Sequence, residues 1–334
     1  MHDGALWALD QTRLPWRETE LELRTAADVV AALRRLSIRG APLIGVAAGY
    51  GVALELARDP DGLERACEML IAARPTAVNL AHAVERVARA ARARAPGEHR
   101  ASAALAEARA IHAEEEAASF ALARHGADLL AGRRRILTHC NTGALAAPGR
   151  GTALAVIAEL SQRGELDLVV ACESRPLLQG ARLTVYELRA LGIDHELVVD
   201  GAAAGLIASG HVNAVVVGCD RVAANGDVAN KVGTYAHALA AAAAGIPFVV
   251  AGPCSTIDMA CPSGDGIAIE ERDGAEVARV TAGDAGQTHA VTLAGTRCRN
   301  PAFDVTPAAL VTALVTERGI ARPVSAATLS ALLQ

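Results

Sequence analysis

Residues 135–172 read RILTHCNTGALAAPGRGTALAVIAELSQRGELDLVVAC, and this stretch decides the fold. A short apolar run at 135–138 is followed by a loop, an apolar helical segment at 152–162 and a second apolar run at 166–172. Strand-length apolar runs that alternate with helix-length segments indicate parallel strands joined by crossover helices. We therefore predict a βαβ unit in this part of the chain.

The same alternation continues towards the C-terminus. Further apolar runs and helical patterns alternate at 178–191, 196–199, 202–209, 214–218, 235–244 and 247–251. We predict an α/β, Rossmann-like domain at 131–334, in which a parallel sheet is covered by helices on both faces. The segment 306–318 is expected to be a final helix with Pro307 at its first position.

Residues 1–130 have a different pattern and are predicted to form a mainly helical N-terminal domain with a small β element. The alternation at 20–24 indicates a short strand, and Thr25 is placed to cap the helix that follows. A further helix is expected at 42–58. The alanine-rich, charged segment 100–130 has the pattern of a long amphipathic helix.

The composition excludes several classes of function. Aromatic residues make up 2% of the 334 residues and the net charge is −5, which argues against binding to nucleic acid or to an anionic membrane. Seven cysteines without a C-x-x-C pair indicate free thiols in a reducing compartment. Residues 1–10 lack the features of a secretory signal, and no stretch has the length and continuity of a membrane span. We therefore predict a cytoplasmic protein.

Ligands of open α/β sheets bind beyond the carboxyl ends of the strands, so the loops at those ends identify the candidate site. These loops are predicted at 139–151, 173–180, 200–205, 218–233 and 252–256. They contain most of the polar and glycine residues of this half of the chain. The chain has no Walker A motif, no H-E-x-x-H, no G-x-S-x-G and no His/Cys cluster with metal-ligand spacing.

Two residues in these loops are candidates for chemistry. Cys140 directly follows a predicted strand, where a nearby helix N-terminus would favour a thiolate, although a small buried core residue is an equally good interpretation. Asp220 ends another apolar strand, where partial desolvation would raise the pKa of its carboxyl group and suit proton transfer. The alternative for Asp220 is a structural aspartate that caps a helix.

Other residues are candidates for binding an anion. Asn230 and Lys231 precede a predicted helix, and Gln179 lies in the loop after the second strand. In the N-terminal region, an arginine precedes a predicted helix at Arg39-Gly40-Ala41-Pro42 and again at Arg74-Pro75-Thr76. We expect the N-terminal domain to help to clamp an anion.

Long motifs in the chain resemble those of the methylthioribose-1-phosphate isomerase family, and the resemblance covers nearly the whole chain in order. The motifs are RGAP at 39–42, RPTAVNL at 74–80, CN-GALA at 140–146, RPLLQGARLT at 175–184, G-DR at 218–221, NKVGTY at 230–235, STID at 255–258 and NPAFDVTP at 300–307.

The resemblance implies roles for individual residues. Cys140 and Asp220 match the catalytic pair of the family. The positions that hold the phosphorylated sugar are matched by Arg39, Gly40, Ala41, Arg74, Gln179, Asn230 and Lys231. The resemblance further implies a homodimer that needs no metal or nucleotide cofactor. It implies the conversion of 5-methylthioribose 1-phosphate to 5-methylthioribulose 1-phosphate in methionine salvage, a route of amino-acid biosynthesis.

Several alternatives remain open at the level of sequence. The hydrogen could move from C2 to C1 as a proton, with Cys140 as the base, or as a hydride, with Cys140 as an electrostatic or steric aid. The substrate could be another 5-substituted or 5-deoxyribose 1-phosphate, or ribose 1,5-bisphosphate with Arg150 at the second phosphate. A non-enzymatic role, like that of the related regulatory subunits of the translation-initiation exchange factor, is a third hypothesis.

Overall fold

The computed structural model describes residues 3–75, 77–94, 98–283 and 286–334. The chain divides into two compact units. The first contains the residues up to Ala117 together with Leu145–Gly149, and the second contains Ala118–Ala144 and Arg150–Gln334. The domain limits 1–130 and 131–334 stay a prediction. No helix in the described part of the chain is both long and apolar enough to cross a membrane.

The first unit is built from a strand pair and a group of helices. Its elements are β1 (Leu6–Leu9), β2 (Glu20–Leu23), α1 (Ala26–Arg34), α2 (Ala41–Arg58), α3 (Leu63–Ile71), α4 (Val78–Arg92) and the first part of α5 (Glu98–Leu129). The two strands pair in antiparallel fashion. The Thr25 hydroxyl accepts the N–H of Asp28, whose carboxylate accepts the N–H of Thr25, so the predicted cap of α1 is confirmed.

Helix α2 is the centre of the first unit and is buried along nearly its whole length. Glycine allows it to approach α4 closely, since a Cβ at Gly45 would lie 2.9 Å from the carbonyl oxygen of Asn79. The start of α4 corrects one expectation. The helix begins at Val78, so Pro75 lies in a turn ahead of it and does not start the helix. Thr76, also part of that motif, lies outside the described residues.

The second unit is an α/β structure. Its strands are β3 (Arg135–Thr138), β4 (Leu168–Cys172), β5 (His195–Val198), β6 (Ala214–Val217), β7 (Arg221–Ala223), β8 (Val228–Lys231), β9 (Phe248–Ala251), β10 (Ile257–Asp258), β11 (Arg279–Ala282), β12 (Gln287–Ala290), β13 (Phe303–Thr306), β14 (Ala313–Thr316) and β15 (Gly319–Ala321). Its helices, apart from the end of α5, are α6 (Ala153–Gln162), α7 (Val185–Ala190), α8 (Ala203–Ala208), α9 (Thr234–Ala244), α10 (Ala275–Ala278) and α11 (Ala326–Leu333). Residues Gly180–Thr184, ahead of α7, form a π-helical turn.

The main sheet has seven strands in the order β15-β14-β9-β6-β3-β4-β5. All of its neighbouring pairs are parallel except β14 with β15, so the predicted α/β fold is confirmed with a mixed sheet. Along β3, Ile136 belongs to one apolar cluster and Leu137 to another. Because successive side chains of a strand point to opposite faces, the sheet is buried on both sides.

A smaller sheet has the order β10-β7-β8-β13 and extends from the loop that follows β6. Its last strand, together with β14, corrects the expected helix at 306–318. Strand β13 ends at Thr306, a short 3₁₀ turn covers Ala308–Leu310, and β14 runs in parallel beside β9. Residues 313–316 are fully buried, and an apolar run of this length has no periodicity that separates a core strand from a buried helix.

Gly180 is predicted to be required for the stability of the second unit. A Cβ at Gly180 would lie 1.7 Å from the carbonyl oxygen of Cys172, a backbone atom that cannot rotate away. Replacing Gly180 with Ala should lower the free energy of unfolding by about 3 kcal/mol or more. Gly205→Ala in helix α8 is the matched control, because no atom lies within 4 Å of a Cβ at that position. This substitution should raise the free energy of unfolding by about 0.5–1 kcal/mol. Denaturant unfolding of both variants checks this, and equal stabilities would contradict it.

Candidate active site

The candidate site lies at the carboxyl edge of the main sheet, where its strand order reverses. Chain order runs outward in one direction from β3 through β4 to β5, and in the other from β6 through β9 to β14. Cys140 follows β3 and Asp220 follows the neighbouring strand β6. The two loops approach closely, since a Cβ at Gly218 would lie 2.7 Å from the Cγ2 of Thr142. A reversal of this kind opens a crevice between adjacent loops, which is where open α/β sheets bind ligands.

Cys140 is partly exposed, whereas its neighbour His139 is fully buried. The backbone of Cys140 is left-handed, with φ at +62°. Two side-chain hydroxyls bind this backbone, because Ser174 Oγ accepts its N–H at 2.8 Å and Thr184 Oγ1 donates to its carbonyl oxygen at 2.6 Å. The thiol is therefore available at the edge of the sheet while its main chain is held from two sides.

The segment between Cys140 and α6 is a loop of twelve residues, so no helix starts directly after the cysteine. The loop folds back on itself, because the N–H of Thr152 donates to the carbonyl oxygen of Thr142 at 2.7 Å. The Thr142 hydroxyl accepts the N–H of Leu154, in the first turn of α6, at 3.2 Å. This folding places the N-terminus of α6 beside Thr142, two residues after Cys140.

Glu187 fixes the same loop and was not found from the sequence. Its carboxylate accepts the Asn141 side-chain amide at 2.7 Å and the N–H of Ala144 at 2.7 Å. A Cβ at Gly143 would lie 2.2 Å from this carboxylate, so glycine is required there. Glu187 lies in helix α7. A single glutamate in a helix does not indicate, from the sequence alone, that its carboxylate is buried.

Asp220 is half-buried, in agreement with its predicted position at the end of a core strand. Its N–H donates to the carbonyl oxygen of Ala229 at 2.9 Å, which links the end of β6 to β8. The neighbouring Arg221 pairs with Asp258, so its positive charge is already compensated. The raised pKa of the Asp220 carboxyl group stays a prediction.

Asn230 and Lys231 are the last two residues of β8, and both are buried. The Lys231 ammonium donates to the carbonyl oxygen of Ala302 at 2.9 Å and lies 5.1 Å from the ring centre of Phe303. The N-terminus of α9 lies just beyond them, and the carboxylate of Asp304 accepts the N–H groups of Gly233 and Tyr235 there. Burial raises the pKa of the Asp304 carboxyl group. Binding of an anion at this place would thus depend on side chains more than on the helix.

Gln179 is buried, and its Oε1 has no hydrogen-bond partner among the described residues. A buried acceptor without a donor is costly, and a ligand hydroxyl would supply that donor. Arg175, by contrast, is used inside the protein. Its guanidinium donates to the carbonyl oxygens of Pro176 and Val277, each at 2.8 Å.

Four predicted binding residues belong to the first unit. Arg39 is half-buried, and Gly40 has a φ of +98° at the start of α2, whose first residue is Ala41. A Cβ at Gly40 would lie 2.3 Å from the carbonyl oxygen of Ala146, so no other residue fits this turn. Arg74 is half-buried in the turn before α4.

A buried group that the sequence did not reveal lies behind Cys140. His139, Cys172 and His237 each place one potential ligand atom within 4.8 Å of the others. Burial lowers the pKa of His139 to about 4 and that of His237 to about 3, and it raises the pKa of Cys172 to about 12. All three are therefore neutral at pH 7. The Nε2 of His237 has no hydrogen-bond partner among the described residues.

The amino-acid sequence of the chain is similar to those of known proteins. Residues 37–323 match the model of the initiation factor 2 subunit family. A methylthioribose-1-phosphate isomerase of Anaeromyxobacter sp. (strain K) is 53% identical over 326 residues, which cover 97% of this chain and 93% of the relative. A 5-deoxyribose 1-phosphate isomerase of Moorella thermoacetica is 47% identical over 335 residues, which cover 96% of this chain and 93% of the relative.

Two crystal structures are similar over almost the whole chain. The 5-methylthioribose 1-phosphate isomerase of Pyrococcus horikoshii OT3 superposes with a TM-score of 0.90 at 36% identity, covering 100% of this chain and 94% of that one. The delta subunit of translation initiation factor eIF-2B from A. fulgidus superposes with a TM-score of 0.84 at 35% identity, covering 99% and 98%. The fold is thus shared by proteins that bear enzymatic and non-enzymatic names.

The buried histidines predict a loss of stability in mild acid. A folded-state pKa below the unfolded value of about 6.5 means that the stability is complete above pH 6.5 and falls as the pH drops towards 4. His237→Leu should reduce the fall in unfolding free energy between pH 7 and pH 5 by about 2 kcal/mol. Denaturant unfolding at both pH values checks this, with the exposed His289→Leu as control. An unchanged pH dependence in His237→Leu would contradict the prediction.

Proposed function

Because the chain belongs to the initiation factor 2 subunit family, we propose that it is an isomerase that converts 5-methylthioribose 1-phosphate to 5-methylthioribulose 1-phosphate. The identity of 53% to a relative named for this activity, over nearly the full length of both chains, is the observation that carries the proposal. The fold alone would not distinguish an isomerase from the eIF-2B delta subunit, which is similar to almost the same degree. The thiol and the carboxyl group at adjacent strand ends favour the enzyme.

The chemistry needs an acid and a group beside C1 and C2. The anomeric oxygen of the substrate carries phosphate, so the ring opens only if its own oxygen is protonated and the bond from C1 to that oxygen breaks. Asp220 is proposed as this acid, since partial burial at a strand end suits a carboxyl group that gives up a proton near neutrality. The ring oxygen becomes the C4 hydroxyl.

The second step moves hydrogen from C2 to C1 and leaves a ketone at C2. If Cys140 takes the C2 proton as a base, an enol phosphate forms; C1 then receives a proton and the C2 hydroxyl loses its own, which leaves the ketone. If the hydrogen moves as a hydride, it passes directly to the oxocarbenium carbon C1, and the C2 hydroxyl loses its proton. Exclusion of water from the site would favour both routes. The partly exposed thiol at the sheet edge supports a role for Cys140 in either one.

Further residues are proposed to bind the sugar phosphate. In the second unit, the buried amide oxygen of Gln179 that lacks a donor supports contact with a sugar hydroxyl. The ammonium of Lys231 supports contact with the phosphate, and Asn230 precedes it on the same strand. The proposed roles of Arg39, Gly40, Ala41 and Arg74 in the first unit rest on their match to the family motif.

The proposal also covers the domains, the metabolic role, the oligomeric state and the location of the enzyme. The order of its parallel strands, β5-β4-β3-β6-β9-β14, supports a Rossmann-like catalytic domain at 131–334 after a helical domain at 1–130. A role in methionine salvage follows from the proposed substrate. The proposal includes a homodimer that needs no cofactor, which rests on the resemblance to the family, and a cytoplasmic location, which rests on the free cysteines.

A second candidate substrate is 5-deoxyribose 1-phosphate, because a relative with that name is 47% identical over nearly the full length. Ribose 1,5-bisphosphate has less support. Arg150, the residue suggested for its second phosphate, is already held by an ion pair with Glu159 at 3.0 Å. Turnover of the three substrates under one assay separates these alternatives, and the proposal predicts the highest kcat/KM for the methylthio compound.

The assignment of Cys140 and Asp220 predicts that each is needed for turnover. Cys140→Ser and Asp220→Asn should lower kcat by about a hundredfold or more, since each removes a group that acts on the reacting atoms. The assay follows formation of the ketose phosphate from 5-methylthioribose 1-phosphate, and thermal unfolding verifies that the variants are folded. Wild-type turnover in a folded Asp220→Asn would rule out its role as the acid.

Lys231 is predicted to act mainly in binding. Lys231→Met keeps much of the apolar stem but removes the charge, so KM for the sugar phosphate should rise by about tenfold or more. Inorganic phosphate, used as a competitive inhibitor, should lose affinity in the same variant. A KM and an inhibition constant equal to those of the wild type would show that Lys231 does not contact the phosphate.

A further inference from the structure

The backbone of Cys140 is in a conformation that a residue with a side chain adopts only at a cost. Left-handed backbone is unfavourable by about 1–2 kcal/mol for a non-glycine residue, and it persists only where the surrounding structure holds it. Cys140 has a φ of +62°, and Ser174, at the end of the next strand, has a φ of +63°. Two strained residues thus follow the neighbouring strands β3 and β4, each two positions after the strand ends.

The two polar backbone atoms of Cys140 are bound by hydroxyl groups from different elements. Ser174 follows β4 and accepts the N–H of Cys140 at 2.8 Å. Thr184 ends the π-helical turn before α7 and donates to the carbonyl oxygen of Cys140 at 2.6 Å. Both hydroxyl-bearing residues are buried, with 0% and 1% of their surface exposed, so water does not replace either bond.

Ser174 is itself held in place. Its N–H donates to Asp200 Oδ1 at 2.8 Å, and the N–H of Arg175 donates to Oδ2 at 2.7 Å. Asp200 lies just beyond β5, so one chain of hydrogen bonds runs from the end of β5 through the end of β4 to the end of β3. The position of the Cys140 backbone is therefore set by two other strands of the sheet.

The hydroxyl of Ser174 also has a partner for its own proton. His139 Nε2 lies 2.9 Å from the carbonyl oxygen of Val232, so the hydrogen-bond network assigns the ring proton to Nε2. The lone pair of Nδ1 then faces Ser174 Oγ at 3.3 Å, and the carbonyl oxygen of Cys172 lies 3.1 Å from the same hydroxyl. Ser174 can thus accept from Cys140 and still donate.

We propose that Ser174 and Thr184 are positioning residues, whose hydroxyl groups hold the left-handed backbone of Cys140 and thereby aim its thiol at the reacting carbon atoms. This inference rests on the proposed function for its effect on turnover. A misplacement of about 1 Å can cost about a hundredfold in rate, so loss of one bond should affect kcat more than binding. Neither residue touches the substrate in this role.

The test uses substitutions that differ by one hydroxyl group. Thr184→Val removes the hydroxyl without changing the shape of the side chain, and with it both the bond to the Cys140 carbonyl oxygen and the longer bond that Oγ1 accepts from the Asn141 amide at 3.3 Å. Thr184→Ser keeps the hydroxyl, and Ser174→Ala removes the acceptor. Thr316→Val is the matched control, since this buried hydroxyl also accepts one N–H, from Arg318 at 3.2 Å, and donates to one carbonyl oxygen, of Gly319 at 3.1 Å. Thr316 is the last residue of β14, which β9 and β6 separate from β3.

Two measurements are made on variants whose folding is verified by thermal unfolding. The first is kcat and KM for 5-methylthioribose 1-phosphate. The second is the rate at which iodoacetamide alkylates Cys140 relative to Cys298, followed by peptide mass spectrometry. Cys140 and Cys298 are the two cysteines of the seven that are not buried, so Cys298 serves as an internal reference. The alkylation ratio needs no substrate.

The expected result for Ser174→Ala and Thr184→Val is a kcat lowered by about tenfold or more, a KM within about threefold, and an alkylation ratio changed by at least about threefold. Thr184→Ser and Thr316→Val should retain the wild-type values of all three. Wild-type kcat and alkylation ratio in folded Thr184→Val would overturn the inference, even if Ser174→Ala failed to fold. A change of the ratio in Thr316→Val as large as in Thr184→Val would also overturn it. An inactive wild type would defeat the proposed function alone, because the alkylation ratio would still test the positioning.

Discussion

Parallel strands that are buried on both faces can carry polar chemistry only beyond their ends, and the candidate site follows from this constraint. The strands β3 and β6 are neighbours at the reversal of the strand order, so the residues that follow them, Cys140 and Asp220, lie at neighbouring strand ends. The hydrogen bond from Asp220 to Ala229 then joins the edge to β8, which ends in Asn230 and Lys231. An acid, a thiol and a cation thus occupy one edge because the sheet leaves no other place for them.

The buried side chains behind Cys140 influence the electrostatics of this edge. His139, Cys172 and His237 are buried and neutral at pH 7, so they add no fixed charge to this edge. Lys231 is 7% exposed, and a buried charge acts more strongly on a ligand than one in water.

Much of the fold was predictable because its local signals agree with its packing. The apolar run at β3, the cap at Thr25 and the start of α2 after Gly40 all appear where the sequence predicts them. The helix expected at 306–318 was wrong, since short buried strands and helices share one apolar pattern. Glu187 and His237 were missed for another reason. Their roles depend on contacts between residues that are distant in sequence, which no local pattern records.

The most direct test of the proposed isomerase is to identify its product. Purified protein is incubated with 5-methylthioribose 1-phosphate labelled with ¹³C at C1 and C2, and ¹³C NMR follows both carbons. The isomerase predicts that the anomeric C1 signal is replaced by that of a phosphorylated CH₂ group while C2 becomes a ketone carbonyl. Persistence of the anomeric signal with a folded protein, or release of inorganic phosphate in place of a ketose phosphate, would contradict it.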